Sequence, residues 1–356
     1  MKKLRVGIIG VGTIAKLAHL PAYKNRKDVE VIAFADVEKE RVLEEAKVYA
    51  EATGQVVPAV YSSALEMLQK EELDAVSICT PNTSHVELAL QALEAGVNVL
   101  LEKPMATELK DAEALVEAAK KSGKILMVGM SHRYREDVAV LKRYIDNGDL
   151  GDIYYAKTRI LRRRGTPRGW FTDKDKSGGG PLMDIGVHAI DLTWWLLGCP
   201  KAIAVNGYLT RGIGNDQLDF IKTWEASSSG NEENEIYTTE DFASAFIRLE
   251  NGGVLQAEVS WALNGPEDDA VKVELFGTKG GLSLDPLSFY TTEHNVLTSH
   301  TPSVGMGSLY QREIDHFVTC ILNEETPCSD VDQGRDIVAI LTAIEQSSDE
   351  RKEIRL

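Results

Sequence analysis

The sequence is poor in cysteine, poor in positive charge relative to negative, and free of long apolar runs. Its four cysteines, Cys79, Cys199, Cys320 and Cys328, make no C-x-x-C pair. That excludes a zinc ribbon or a disulfide framework and leads us to expect a reducing, cytoplasmic compartment. Lys and Arg number 39 against 55 Asp and Glu, a formal net charge of -16. A polyanion is repelled on average by such a chain, so neither nucleic acid nor an anionic membrane is an expected partner. No apolar stretch is long enough to cross a bilayer. Met1-Lys2-Lys3 has the charge of an export signal, but Gly7, Gly10 and Gly12 interrupt the short apolar run after it, and the segment reads as a strand. With 356 residues the chain has room for two domains of ordinary size.

What is present begins with Val6 to Ile9, a buried-strand run, succeeded at once by Gly10-Val11-Gly12-Thr13-Ile14-Ala15. This fits the G-x-G-x-x-G/A dinucleotide pattern. Gly10 permits the tight turn, Gly12 leaves space for a pyrophosphate, and Ala15 lets the helix approach the strand. Free N–H groups at the helix start suit phosphate, which makes Gly10, Gly12, Thr13 and Ile14 cofactor-binding candidates. A plain Gly-rich turn is the competing reading of this stretch taken alone. A helix is predicted from Thr13 until Pro21 disrupts it.

Val29 to Ala35 is a second strand, and Asp36 ends it at the spacing of the acid that holds the adenosine ribose. Its charge opposes a 2′-phosphate by about 4 kcal/mol at an effective dielectric near 20. NAD is therefore expected over NADP, with Lys39 and Arg41 close enough to soften the preference. Asp36 can also cap the helix predicted over 38–53. Further strands at 74–79, 97–101 and 124–128 alternate with helices at 83–95 and 107–122. About six apolar strands alternating with helices imply a doubly wound parallel sheet. Thr80-Pro81-Asn82 and Glu102-Lys103-Pro104 fall at strand C-terminal ends, where such sheets bind ligands. Lys103, held extended by Pro104, is a candidate for chemistry, against the alternative of a solvated lysine.

Next come a linking helix over 133–147 and a strand over 153–161. The loop with Arg162-Arg163-Arg164 and Arg168-Gly169-Trp170-Phe171 reads as the lining of a polar substrate pocket or as an ordinary solvated loop. The run Ser177-Gly178-Gly179-Gly180-Pro181 opens a helix to Leu197. Asp184, His188 and Asp191 share one of its faces at i, i+4 and i+7. An Asp one turn from a His can orient it and raise its basicity, making His188 an acid/base candidate. A zinc site and a satisfied core histidine are the alternatives. No further metal ligand is evident, so no metal is assigned. Beyond Gly198, longer strands at 201–208, 239–250, 254–262 and 271–276, joined by Gly-rich turns, predict a mostly antiparallel sheet. Residues 212–235 read as a mobile insertion. Helices over 310–322 and 330–346 close the chain. A sheet face free of helices is a common subunit interface, so a homodimer or homotetramer is expected.

The combination of Gly10-Val11-Gly12-Thr13-Ile14-Ala15, Thr80-Pro81-Asn82 with His85, Glu102-Lys103-Pro104, and Gly178-Gly179-Gly180-x-Leu182-x-Asp184-x-Gly186-x-His188-x-x-Asp191 resembles the Gfo/Idh/MocA family of oxidoreductases over nearly the whole length. The resemblance implies an N-terminal Rossmann domain, placed at 1–130, and a C-terminal α/β substrate-binding and oligomerisation domain with an open, mainly antiparallel sheet, placed at 131–356. It implies NAD(P)-dependent hydride transfer between a sugar, cyclitol or polyol hydroxyl and nicotinamide. Lys103, Asp184 and His188 stand where the family's inositol dehydrogenases keep their catalytic Lys, Asp and His. Under it His188 takes the hydroxyl proton and Lys103 stabilises the same oxygen. Thr80, Pro81, Asn82, His85, Glu102 and Lys103 join the cofactor candidates, and Arg133, Arg168, Trp170 and His294 join Lys103, Asp184 and His188 as candidate substrate contacts. A redox-neutral, NAD-dependent glycosidase and a non-catalytic sugar or NAD sensor are the alternatives.

Overall fold

The protein is described by a computed structural model covering residues 3–167, 169–214, 236–266, 268, 271–305 and 307–356. The mobile insertion predicted at 212–235 lies mostly outside these residues, and Arg168 lies outside them entirely. The described chain forms two compact units. One holds 3–129 and 310–335, the other 130–214, 236–309 and 336–356.

In the first unit, strands β1 Leu4–Ile9, β2 Val29–Ala35, β3 Ala59–Tyr61, β4 Ala75–Ile78, β5 Asn98–Glu102 and β6 Leu126–Gly129 form one parallel sheet. The order is β3-β2-β1-β4-β5-β6, the doubly wound arrangement expected. β4, β5 and β6 are almost wholly buried, as a sheet covered on both faces requires. The order reverses between β1 and β4, where a ligand crevice opens beyond the strand ends. Gly10 sits at that point. Its φ is +84°, and a Cβ there would lie 2.7 Å from Thr80 Cγ2 and 2.8 Å from the Cys79 backbone. The glycine is thus needed both for its conformation and for close approach to the end of β4.

The helix after the glycine loop does not stop at Pro21. A widened π-turn over Ala15–His19 precedes a regular turn over Leu20–Lys24. Pro21 has no N–H to give to the preceding turn, and the change of hydrogen-bond register ahead of it lets the helix run on.

The second unit is built on β7 Ile153–Leu161, β8 Ala202–Thr210, β9 Phe242–Leu249, β10 Val254–Ser260, β11 Lys272–Gly277, β12 Gly280–Leu284, β13 Ser288–Glu293, β14 Val296–His300 and β15 Ile354–Arg355. Their order is β14-β13-β12-β11-β7-β10-β9-β8-β15. All neighbours are antiparallel except β7 and β10. Burial alternates along β9 and β10, so one face is core. The helix Val187–Leu196 packs against β7 and β10. The opposite face carries Lys157, Arg159, Glu258, Lys272 and Glu274 around a shallow depression. No helix among the described residues is long and apolar enough to cross a membrane.

Residues 310–335, expected in the C-terminal domain, pack with the first unit instead. The helix Leu309–Asn323 buries Ile314, Phe317, Val318 and Cys320. Gln311 accepts from Asn25 at 2.8 Å, and Asp315 pairs with Arg26 at 2.9 Å. Farther on, Ser329 exchanges hydrogen bonds with Val128, covering the edge of β6. This return also buries Glu313, which is 1% exposed. Its Oε1 has no hydrogen-bond partner among the described residues. Burial, then the nearby Glu102 charge, push the Glu313 carboxyl well above the usual range. The native state therefore keeps a proton here that an unfolded chain releases above about pH 4.3, and stability falls as pH rises through that window. Glu313→Gln should remove this dependence. In urea denaturation it should match wild type near pH 4 and exceed it at pH 7 to 8. An equal loss of stability at every pH would contradict the assignment.

Candidate active site

The nucleotide side is assembled at the C-terminal ends of β1, β2, β4 and β5. Asp36, just past β2, is 8% exposed. Its Oδ2 accepts the Val11 N–H at 2.7 Å, and its Oδ1 accepts the Glu38 N–H at 2.9 Å. Arg41 reaches Oδ1 at 2.7 Å. The acid thus fixes the glycine loop and carries a partly compensated charge; it bonds Glu38, the residue ahead of the helix Lys39–Thr53, but does not cap that helix, which has no side-chain cap. Over the loop, a Cβ at Gly12 would meet no protein atom within 4 Å. That open space, beside N–H groups at a helix start, fits a pyrophosphate. Thr13 and Ile14 are partly exposed beside it.

Past β4, Thr80 is half-buried, Pro81 exposed and Asn82 buried. His85 has no exposure at all. Its ring nitrogens sit 2.8 Å from the Pro104 carbonyl and 2.9 Å from the Thr80 carbonyl, and burial holds the ring below its usual pKa. His85 is therefore packed behind the two loops, where the neutral ring can donate to one of these carbonyls, and it presents no surface of its own to a ligand. Glu102 is likewise turned inward, with Oε1 2.8 Å from His19 Nε2. Burial alone would raise its carboxyl, but His19, Lys103 and His85 hold it below the ordinary range. Lys103 comes next, at the end of β5, and is partly exposed.

In the second unit, the helix expected from Pro181 begins as a π-turn over Leu182–Gly186 and becomes regular over Val187–Leu196. Every residue from Pro181 to Ile190 is buried except Asp184 and His188. Asp184 Oδ2 accepts the indole N–H of buried Trp261 at 3.1 Å. The ring of His188 lies against that of His132, with centroids 4.7 Å apart.

Asp191 does not join Asp184 and His188 at an open face. It is 1% exposed and bound in two places by Arg133, Nε to Oδ2 at 2.8 Å and Nη2 to Oδ1 at 2.5 Å. Arg133, expected at the substrate, is accordingly 4% exposed and committed to this ion pair, with its guanidinium also over Trp195. A buried carboxylate needs such a partner. The pair also removes Asp191 from the metal-binding alternative.

Trp170 is half-buried and stacks on Phe171 with centroids 4.0 Å apart. Arg162 and Arg164 bond backbone carbonyls at Gly165 and Leu263, so part of the basic loop is stitched to the chain after β10. His294 is exposed and, with Asn295, supplies the two positive-φ residues of the β13–β14 hairpin turn. Its role there is in the turn.

Sequence reasoning missed His132, Trp261 and Glu240. Ser131-His132 lies just past β6, a strand-end signal of the kind used for Lys103. Glu240 accepts the backbone N–H groups of Gly180 at 2.9 Å and Leu182 at 3.1 Å, a pairing across about sixty residues that leaves no local spacing to read.

Comparison with known proteins identifies the family. Residues 4–130 match the oxidoreductase family with the NAD-binding Rossmann fold, and residues 138–283 match the GFO/IDH/MocA C-terminal domain. D-glucoside 3-dehydrogenase of Escherichia coli strain K12 is 34% identical over 357 residues, covering 99% of this chain and 97% of that protein. The scyllo-inositol 2-dehydrogenase (NAD(+)) of Bacillus subtilis strain 168 is 28% identical over 75% of this chain and 73% of its own. The crystal structure of an oxidoreductase domain protein from Kribbella flavida has the same fold, with a TM-score of 0.85 at 24% identity, covering 100% of this chain and 99% of that one. The chain belongs to the GFO/IDH/MocA oxidoreductase family, with NAD as the cofactor of its Rossmann domain.

Proposed function

We propose that the protein oxidises a ring hydroxyl of a sugar, cyclitol or related polyol, with D-glucosides the first class to test. The observation that carries this is the pair Asp184 and His188, the two partly exposed polar residues in an otherwise buried stretch of helix. The full-length similarity to a D-glucoside 3-dehydrogenase supports the substrate class. Bound NAD supplies the hydride acceptor. His188 accepts the hydroxyl proton as the bond to hydrogen at carbon breaks. Lys103 donates a hydrogen bond to the same oxygen and stabilises the charge that develops on it. Asp184, fixed by the Trp261 indole, favours the imidazolium that forms. Arg133 supports His188's helix through Asp191, while Trp170 and Arg168 remain candidates for the substrate lining.

Absorbance at the reduced-nicotinamide band, read with NAD and NADP across methyl glucosides, aldoses, inositols and sugar acids, tests the reading. A signal with NAD on one substrate class is expected. Lys103→Ala and His188→Ala should each lower kcat on that substrate by about 10²–10⁴-fold. Turnover within a few-fold of wild type, or cleavage of a chromogenic glucoside without net reduced nicotinamide, would overturn it.

We also propose a homodimer or homotetramer formed through the face of the second sheet opposite the helix Val187–Leu196. Its mixed charges, Lys157, Arg159 and Lys272 with Glu258 and Glu274, suit self-complementary pairing. Four free thiols support a reducing, cytoplasmic setting. Sedimentation velocity at micromolar concentration should give a species of at least twice the 39.2 kDa chain mass; a lone monomer peak contradicts the oligomer.

A further inference from the structure

The helix that presents Asp184 and His188 opens without a side-chain cap of its own. Its first N–H groups need partners from elsewhere. Glu240 supplies them, with Oε2 2.9 Å from the Gly180 nitrogen and Oε1 3.1 Å from the Leu182 nitrogen. The approach is close enough that a Cβ on Gly180 would lie 2.3 Å from the Glu240 carbonyl oxygen. The glycine run is thus required here for backbone packing and not only for flexibility.

The next residue completes a second line of support. The Asp241 carbonyl accepts the Trp261 backbone N–H at 2.9 Å, and the Trp261 indole donates to Asp184 Oδ2. The Asp241 carboxylate also holds the backbone N–H groups of Gly212 and Ile213 and the Tyr237 hydroxyl. Two adjacent residues therefore fix the start of the helix and, through Trp261, one oxygen of the acid on it.

We propose that Glu240 is a positioning residue for the reaction, setting the placement of Asp184 and His188 by holding the start of their helix. This rests on the reading of those two as catalytic groups. Neither carboxylate oxygen of Glu240 is needed for charge at the substrate; what matters is that two acceptors face two N–H groups. A Gln offers one acceptor oxygen and an amide that cannot accept, so it preserves half of the arrangement, and Ala preserves none.

The test tracks the His188 imidazole by NMR in histidine-labelled protein, assigned with His188→Asn, beside steady-state kinetics and NADH binding. Glu240→Ala should move the His188 resonances and lower kcat by about 10- to 100-fold. KM should change much less, and NADH affinity should not change. Glu240→Gln should restore an intermediate position and rate. Unmoved resonances with kcat within twofold of wild type would overturn the proposal. So would a parallel fall of kcat, KM and NADH affinity with thermal midpoint, which marks general destabilisation. If Glu240→Ala does not fold, Glu240→Gln and Gly180→Ala, whose new Cβ displaces Glu240, are judged by the same readouts. If wild type turns over no sugar or polyol, the functional reading fails, while the His188 resonances still decide the role of Glu240.

Discussion

The hydrogen bond from the Val11 N–H to Asp36 Oδ2 is the constraint on which the nucleotide-binding unit depends. It joins the glycine loop after β1 to the acid after β2, across the C-terminal ends of two neighbouring strands. Gly10 must then turn with a positive φ against the end of β4, and Gly12 is left facing open space. The same carboxylate that holds the loop is the one suited to a ribose diol. Arg41 pairs with the same carboxylate and partly offsets its charge.

The second unit solves a different problem, which is to expose two polar groups from a helix that is otherwise core. The Arg133–Asp191 pair satisfies the second acid of the motif inside the packing. Trp261 fixes Asp184, and the buried flanks of the helix hold both groups against β7 and β10. Precision of this kind comes from supports remote in sequence. That is why a glutamate before β9 matters to a histidine on the helix.

Much of this was legible in the sequence because buried parallel strands are apolar runs and the glycine loop carries its acid at a set distance. Gly54 and Gly123, which follow the helices Lys39–Thr53 and Leu109–Ser122, adopt the positive φ that ends a helix. β3 was missed because it has three half-buried residues and no pattern to show. β12 to β14 were missed because Gly280-Gly281 and a run of Ser and Thr mask the alternation. Pro21 misled because a proline forbids one hydrogen bond, not a helix whose register widens ahead of it. The apolar face of Leu309–Asn323 told that the helix packs, but not against which unit. Arg133 and Glu240 show the limit most clearly: an ion pair or a cap across about sixty residues has no local periodicity.

The most direct test of the account is isotopic. A ring-deuterated form of a turned-over glucoside or polyol, incubated with the protein and NAD, should give reduced nicotinamide one mass unit heavier, with deuterium lost from a single ring carbon. Oxidised product with no deuterium in the nicotinamide would mean that hydride does not pass directly between them, and would contradict the account.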